Sequence, residues 1–285
     1  MPGTVVRSTN RWTAATLTSS GVVGPYAIAN TQNAQPSEVS RLVGMHRVWW
    51  QGDLGADYRI QNVSVCHHNL SNDGQFQVIV ADNANMTHPT IIYDSGLTDA
   101  WGAVFPASSP FGDGSQKPNA DGKKLLPGAV WVHDLSSEVF GRYVQILADD
   151  PNNTDGYIEA SYINVSKIKS PDVYYPFRII PDEESIIQVS RTGQEWSKGF
   201  LKRYRAIADY TGQSEANANF WVFLMNEIGL SGEFIVTVYD GQTLWNAETT
   251  MLCQFASDPT VQHQEDSGDY TAVYLAHVEL LEVAG

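Results

Sequence analysis

Three observations predict a mainly β protein made of two β-rich domains. Turn-forming Gly, Pro, Asn, Asp and Ser recur at short intervals. Between them lie short runs rich in Val, Ile and Tyr, at residues 58–66 (YRIQNVSVC), 75–81 (QFQVIVA), 142–148 (RYVQILA), 157–165 (YIEASYINV), 233–239 (EFIVTVY) and 270–281 (YTAVYLAHVELL). Few segments keep a helical period. Many short strands separated by loops argue for sandwiches rather than for a parallel α/β sheet.

Taken in order, the first four runs make an N-terminal β-sandwich. They are interrupted by a polar stretch from Pro106 to Pro127 (PASSPFGDGSQKPNADGKKLLP). A loop of that length inside a compact domain is usually functional or mobile. A domain boundary is expected at Ser170-Pro171, giving residues 1–170 and 171–285 as two domains of ordinary size. The second, smaller domain holds the last two runs and one helix candidate, residues 213–228 (QSEANANFWVFLMNEI), with Ser214 placed to cap its start and Gly229 to end it. The apolar FWVFLM within it would serve equally as a buried strand. No internal repeat is visible.

With 285 residues, 42% of them hydrophobic and 11% aromatic, the chain can fill real cores. Its formal net charge is −15 and its sequence pI about 4.7. Neutralising phosphates needs clustered Lys and Arg, and the 17 present form no dense patch, so neither nucleic acid nor an anionic membrane is an expected partner. No stretch reaches transmembrane length, so no membrane insertion is expected. The segment MPGTVVRSTNRWTAATLTSS lacks the apolar core of a secretion signal, and the protein is expected to be synthesised in a cytoplasm. Cys66 and Cys253, each within an apolar run, read as free buried thiols rather than a disulfide framework.

Several constellations invite a chemical reading. Cys66-His67-His68 combines good zinc ligands, but neighbours on a strand point to opposite faces and cannot converge on one ion. Asp149-Asp150-Pro151-Asn152-Asn153-Thr154-Asp155-Gly156 is rich in oxygen donors, which makes Asp149, Asp150 and Asp155 calcium candidates. The same residues are also what a tight turn wants, and EF-hand spacing is missing. Asp182-Glu183-Glu184 is a carboxylate cluster following a proline, as expected of a solvated turn. No Gly-x-Ser-x-Gly, Walker-type loop, His-Glu-x-x-His or dinucleotide fingerprint occurs, so the chain is expected not to be an enzyme and to need no cofactor. Aromatic residues gather around the loops of the first domain. Trp50, Trp101, Phe105, Phe111 and Trp131 are the candidates for stacking on sugar rings or anchoring a protein interface, with core packing the default for most of the aromatic set. Trp49 and Trp50 should face opposite sides of a strand, one of them toward the core.

Residues 1–168 resemble a discoidin-type domain, the galactose-binding-like jelly roll. The resemblance is carried by Trp49-Trp50-Gln51-Gly52-Asp53-Leu54-Gly55, the run Tyr58 to Val65, Val78-Ile79-Val80-Ala81-Asp82-Asn83, Arg142-Tyr143-Val144-Gln145-Ile146 and the closing Tyr157 to Val165. A narrower likeness is to tailed-phage virion proteins. It rests on the order of Asn30-Thr31-Gln32-Asn33-Ala34-Gln35-Pro36-Ser37-Glu38-Val39, then Asp53-Leu54-Gly55, then His67-His68-Asn69-Leu70-Ser71. The later match at Arg191-Thr192-Gly193-Gln194 is imperfect. The resemblance implies a structural protein of a phage tail tip or baseplate, located in the virion and working through contacts with other tail proteins in an oligomeric ring or assembly. The alternative is a carbohydrate-binding module whose discoidin-like domain recognises a host-surface glycan.

Overall fold

Alternation of apolar and polar residues every second position puts one face of a strand toward a core and the other outward. The computed structural model realises this pattern over most of the chain. It describes residues 3–35, 37–71, 73–87, 90–101, 130–170, 177–182, 186–189, 195–198, 203–213, 215–240, 250–265 and 272–283. In chain order the strands are β1 (Gly3–Ser8), β2 (Thr16–Ser19), β3 (Ser40–Val43), β4 (Val48–Cys66), β5 (Gln75–Ala81), β6 (Ile91–Asp94), β7 (Thr98–Asp99), β8 (Val130–Asp149), β9 (Tyr157–Ala160) and β10 (Tyr162–Lys169). They continue as β11 (Phe177–Asp182), β12 (Ile186–Val189), β13 (Glu195–Lys198), β14 (Arg203–Gln213), β15 (Phe234–Asp240), β16 (Thr250–Phe255), β17 (Thr260–Glu265) and β18 (Ala272–Glu282). One helix, α1 (Glu215–Ile228), lies between β14 and β15. The protein is mainly β, as its turn and strand pattern predicts.

The chain divides into two compact units, Met1–Ser170 with Phe234–Leu252, and Pro171–Glu233 with Cys253–Gly285. The linear pattern puts all of 171–285 in the second domain. Phe234–Leu252 instead belongs to the first, because β15 pairs antiparallel with β1, Val6 opposite Val236 and Arg7 opposite Ile235. Pairing between segments so far apart leaves no mark in a linear sequence.

The first unit is an antiparallel β-sandwich whose two sheets share their longest strands. β4 and β8 pair from Val48↔Ala148 to Cys66↔Val130, with register breaks between Asp53 and Tyr58 and between Ile60 and Asn62. Such irregularities let a strand bend and change its facing. The first half of β4 is flanked by β2, and the paired half of β8 by β5. The second half of β4 is flanked by β10, then β1 and β15. Strands that leave one sheet and continue in the other form the corner of the sandwich. Both sheets feed one core: Trp50, Val78, Val144 and Ile146 come from one side, Val63, Val65, Ile163 and Val165 from the other. Phe76 of β5 meets Trp131 of β8 with ring centroids 4.8 Å apart. Trp12 packs so closely on β4 that a Cβ at Gly52 would lie 2.7 Å from its ring, which is why no larger residue fits there.

In the second unit β14 pairs with β11 and β18, and β18 also pairs with β16 and β17. β12 and β13 form a separate hairpin. Helix α1 buries Trp221 and Leu224 and leaves Phe223 exposed. The FWVFLM run is therefore helical, and Gly229 ends it as expected, in the left-handed conformation (φ 77°) with its N–H donating to the Met225 carbonyl at 2.7 Å. Ser214, the loop from Pro106 to Pro127, Glu183 and Glu184, and residues 191–194 lie outside the described residues.

Candidate functional site

Three of the five aromatic candidates for a ligand or interface contact are core residues, the default for most of the aromatic set. Trp50, Trp101 and Trp131 are 0%, 8% and 5% exposed. Trp50 donates its indole N–H to Ser40 Oγ (3.1 Å), and Trp101 shares its own between the Leu70 and Ser71 carbonyls (3.1 and 2.8 Å). Trp131 stacks on His133 and packs on Phe76. Closeness to loops in sequence suggests exposure, but Trp50 in β4, Trp131 in β8 and Trp101 just after β7 all bury their large apolar rings. Phe105 and Phe111 lie outside the described residues. Trp49, neighbour of the buried Trp50, is half-buried, as alternation requires.

The three calcium candidates each have another use. Asp149 Oδ1 faces His46 Nδ1 at 2.5 Å, and Asp155 Oδ2 accepts from Asn69 Nδ2 at 2.9 Å. Asp150 is fully buried and accepts from both the backbone N–H and the hydroxyl of Ser71, at 2.5 and 2.6 Å. Among the described residues no group of three or more His, Cys, Asp or Glu is placed to hold a metal ion. Cys66, His67 and His68 diverge. Burial pushes the Cys66 thiol pKa far up, His67 Nδ1 lies 2.7 Å from Ser161 Oγ, and His68 packs edge-on against Trp101 and Phe76. The corner that follows is an anchoring device. Asn69 accepts from the Glu159 N–H (2.8 Å) and donates to the Tyr157 carbonyl (3.1 Å), satisfying backbone groups at a strand-to-loop turn.

That anchor holds the surface on which the first unit gathers half-buried aromatic and charged groups. β3 and β9 form a two-stranded ribbon, Ser40↔Ala160 to Val43↔Tyr157. Ser40, Leu42, Ile158 and Ala160 point inward and are buried, so Arg41, Val43, Tyr157 and Glu159 must point outward. Arg41 Nε donates to Glu159 Oε2 at 2.8 Å. Its guanidinium also lies over two rings, 3.8 Å from the centroid of Tyr26 and 4.5 Å from that of Tyr157. Tyr26 arrives on a segment tied back to β3, where the Val23 N–H donates to the Arg41 carbonyl (2.9 Å) and the Val43 N–H to Gly21 (3.1 Å). Partial desolvation works against the Arg41 charge, but the Glu159 carboxylate outweighs it and holds the guanidinium pKa above its ordinary value. Val43, 58% exposed, and Val22, 38% exposed, extend the patch with apolar surface. The result is a pre-positioned platform: two phenols, a guanidinium with free fork positions, and a carboxylate acceptor, bordered by aliphatic groups.

None of Tyr26, Arg41, Tyr157 or Glu159 stands out in the sequence. The YIEA run is legible as a strand, but its pairing with SRLV, and the Tyr26 loop laid over both, are tertiary facts.

No protein-family model matches the chain, and no curated protein matches it. Solved structures do. The lectin domain of lectinolysin complexed with Lewis B antigen is 16% identical, with a TM-score of 0.38 over 56% of this chain and 98% of that one. A fucose-binding module of Streptococcus pneumoniae is 17% identical, with a TM-score of 0.36 over 55% of this chain and 94% of that one. Chitosan-binding module 2 of a chitosanase/glucanase from Paenibacillus sp. IK-5, complexed with chitotriose, is 12% identical, with a TM-score of 0.36 over 55% of this chain and 100% of that one. Likeness of this degree assigns no ligand to the present chain.

Proposed function

We propose that the chain is a non-catalytic recognition protein whose first unit binds a carbohydrate at the β3–β9 surface. The observation that carries this reading is the Arg41 guanidinium held between Tyr26 and Tyr157 and bonded to Glu159. A sugar ring offers C–H faces to aromatic and aliphatic groups and hydroxyls to fixed donors and acceptors. Here both sets are locked by packing before a ligand arrives, which lowers the entropic cost of binding. A glycan array followed by titration calorimetry tests the reading. Arg41→Ala and Tyr157→Ala should each abolish or strongly weaken binding of any glycan the wild type takes up. Absence of glycan binding by the wild type, or binding unaffected by both variants, removes it.

A second reading is a structural protein of a phage tail tip or baseplate, located in the virion and held by contacts with other tail proteins. It is supported by the order of the three short segments shared with tailed-phage virion proteins. Those segments serve as internal anchors of the sandwich: Asn30 Nδ2 donates to the Val39 carbonyl (2.8 Å), Asp53 accepts from Gly55 N–H (2.9 Å), and Asn69 and Ser71 secure the corner described above. Their recurrence therefore speaks for a shared sandwich more than for a shared assembly surface. A tape-measure-like gene beside this one, or labelled protein seen on tails by electron microscopy, would favour this reading. A monomer with no virion partner would exclude it.

A further inference from the structure

The face of the β10–β4 pair opposite Val63, Val65, Ile163 and Val165 carries a buried polar patch. Asn164 stands directly opposite Ser64 in the ladder, and Ser166 opposite Asn62. All four polar side chains are 0–1% exposed. Part of the patch is satisfied by protein: Ser64 Oγ donates to Asn62 Oδ1 (2.8 Å), and Asn62 Nδ2 donates to Asp134 Oδ1 (2.8 Å) and the His133 carbonyl (3.3 Å). From Asp134 the network continues to Arg7 and on to Thr237. Asn164 is different. Among the described residues its Nδ2 and Oδ1, both buried, have no hydrogen-bond partner, and neither has Ser166 Oγ.

A primary amide brings two donors and a carbonyl acceptor, and a buried group of that kind is bonded either to protein or to ordered water. Directly opposed ladder residues hold their Cβ atoms about 5 Å apart. Asn164 and Ser64 are such a pair, yet no hydrogen bond joins them. We infer that Asn164, Ser166 and Ser64 together bind internal water, which closes the polar network begun at Thr237 and Arg7. A buried water takes typically about three hydrogen bonds, and this patch supplies an amide donor, an amide acceptor and two hydroxyls within one pair of strands.

The test uses the full wild-type chain. A high-resolution crystal structure should show water within hydrogen-bond distance of both Asn164 amide atoms. In solution, the Asn164 side-chain NH₂ should give cross-relaxation peaks to water that persist at exchange times longer than molecular tumbling. Asn164→Leu assigns those peaks by removing them. The inference fails if the amide is found donating to a protein carbonyl, or if neither density nor water cross-peaks occur at a resolved Asn164 resonance.

Discussion

Arg142 grips Asp53 with two parallel hydrogen bonds, Nε to Oδ1 at 2.7 Å and Nη2 to Oδ2 at 2.8 Å, beside the bend where β4 and β8 pass from one sheet to the other. Asp53 also accepts from the Gly55 N–H, and Gly55 takes the left-handed conformation (φ 82°) that the turn demands. The fork geometry matches a guanidinium to a carboxylate better than a lysine could. The Arg142 hydrogen bond is the main reason the Asp53 pKa falls to about 2.

Because the folded pKa of Asp53 lies below its unfolded value of about 3.9, its contribution is present above that value and is lost as pH falls toward 2. Asp53→Asn should lower Tm by about 2–4 °C at neutral pH. The difference from wild type should shrink below pH 3 and in high salt, since the pair is partly exposed. Thermal melts across pH and ionic strength check this.

Core and surface aromatics should separate cleanly on substitution. Trp50→Ala deletes a fully buried ring and its bond to Ser40, and should cost about 3–5 kcal/mol in urea unfolding. Tyr26→Ala and Arg41→Ala remove outward side chains and should cost about 1 kcal/mol or less. If glycan binding is lost in the surface variants while their unfolding curves match wild type, the loss lies at the site.

His277 of β18 is flanked on both ring nitrogens by carboxylates, Asp209 at 2.6 Å and Glu279 at 3.3 Å. Those carboxylates also face Arg178 and Arg205. The Asp209 hydrogen bond is the main cause of a His277 pKa above the ordinary value. Its contribution to the second unit is complete below the unfolded pKa of about 6.5 and is lost as pH rises through the higher folded value. His277→Gln should flatten that dependence. An NMR titration of the imidazole and a pH series of unfolding curves measure the two sides.

Glu282 shows the opposite sign for a carboxyl group. Burial pushes its pKa up to about 7, although the Tyr204 N–H donates to it at 2.9 Å. The unfolded chain releases this proton near pH 4.3, about where free glutamate does, whereas the folded chain keeps it. Stability should therefore fall between roughly pH 4.3 and 7 on its account. Glu282→Gln keeps an acceptor for Tyr204 without the charge. It should raise the urea midpoint at pH 8 and leave it nearly unchanged at pH 4.

Much of the fold is legible in the residue pattern. The runs at 58–66, 75–81 and 142–148 each lie within one strand, and the stop at Gly229 is written in its neighbours. The run 157–165, read as one closing strand, instead breaks at Ser161 into β9, which pairs with β3, and β10, which pairs with β4. The aromatic site is not legible in this way. Trp50, Trp101 and Trp131 carry a signal for burial and a signal for binding that are the same signal, large flat apolar area. Only their facing separates the two, and a single irregularity in a long strand such as β4 shifts every facing after it.

The sequence by itself determined a mainly β chain, cysteines that form no disulfide framework, an acidic composition and a stop at Gly229. All of these follow from residue type, spacing and local propensity. Tertiary structure alone decided that β15 returns to the first unit, that Asp53 meets Arg142, and that Tyr26, Arg41, Tyr157 and Glu159 share one surface. Each of these joins segments distant in sequence through ladder register and loop path, which are set by the packing of the whole sandwich rather than by neighbouring residues.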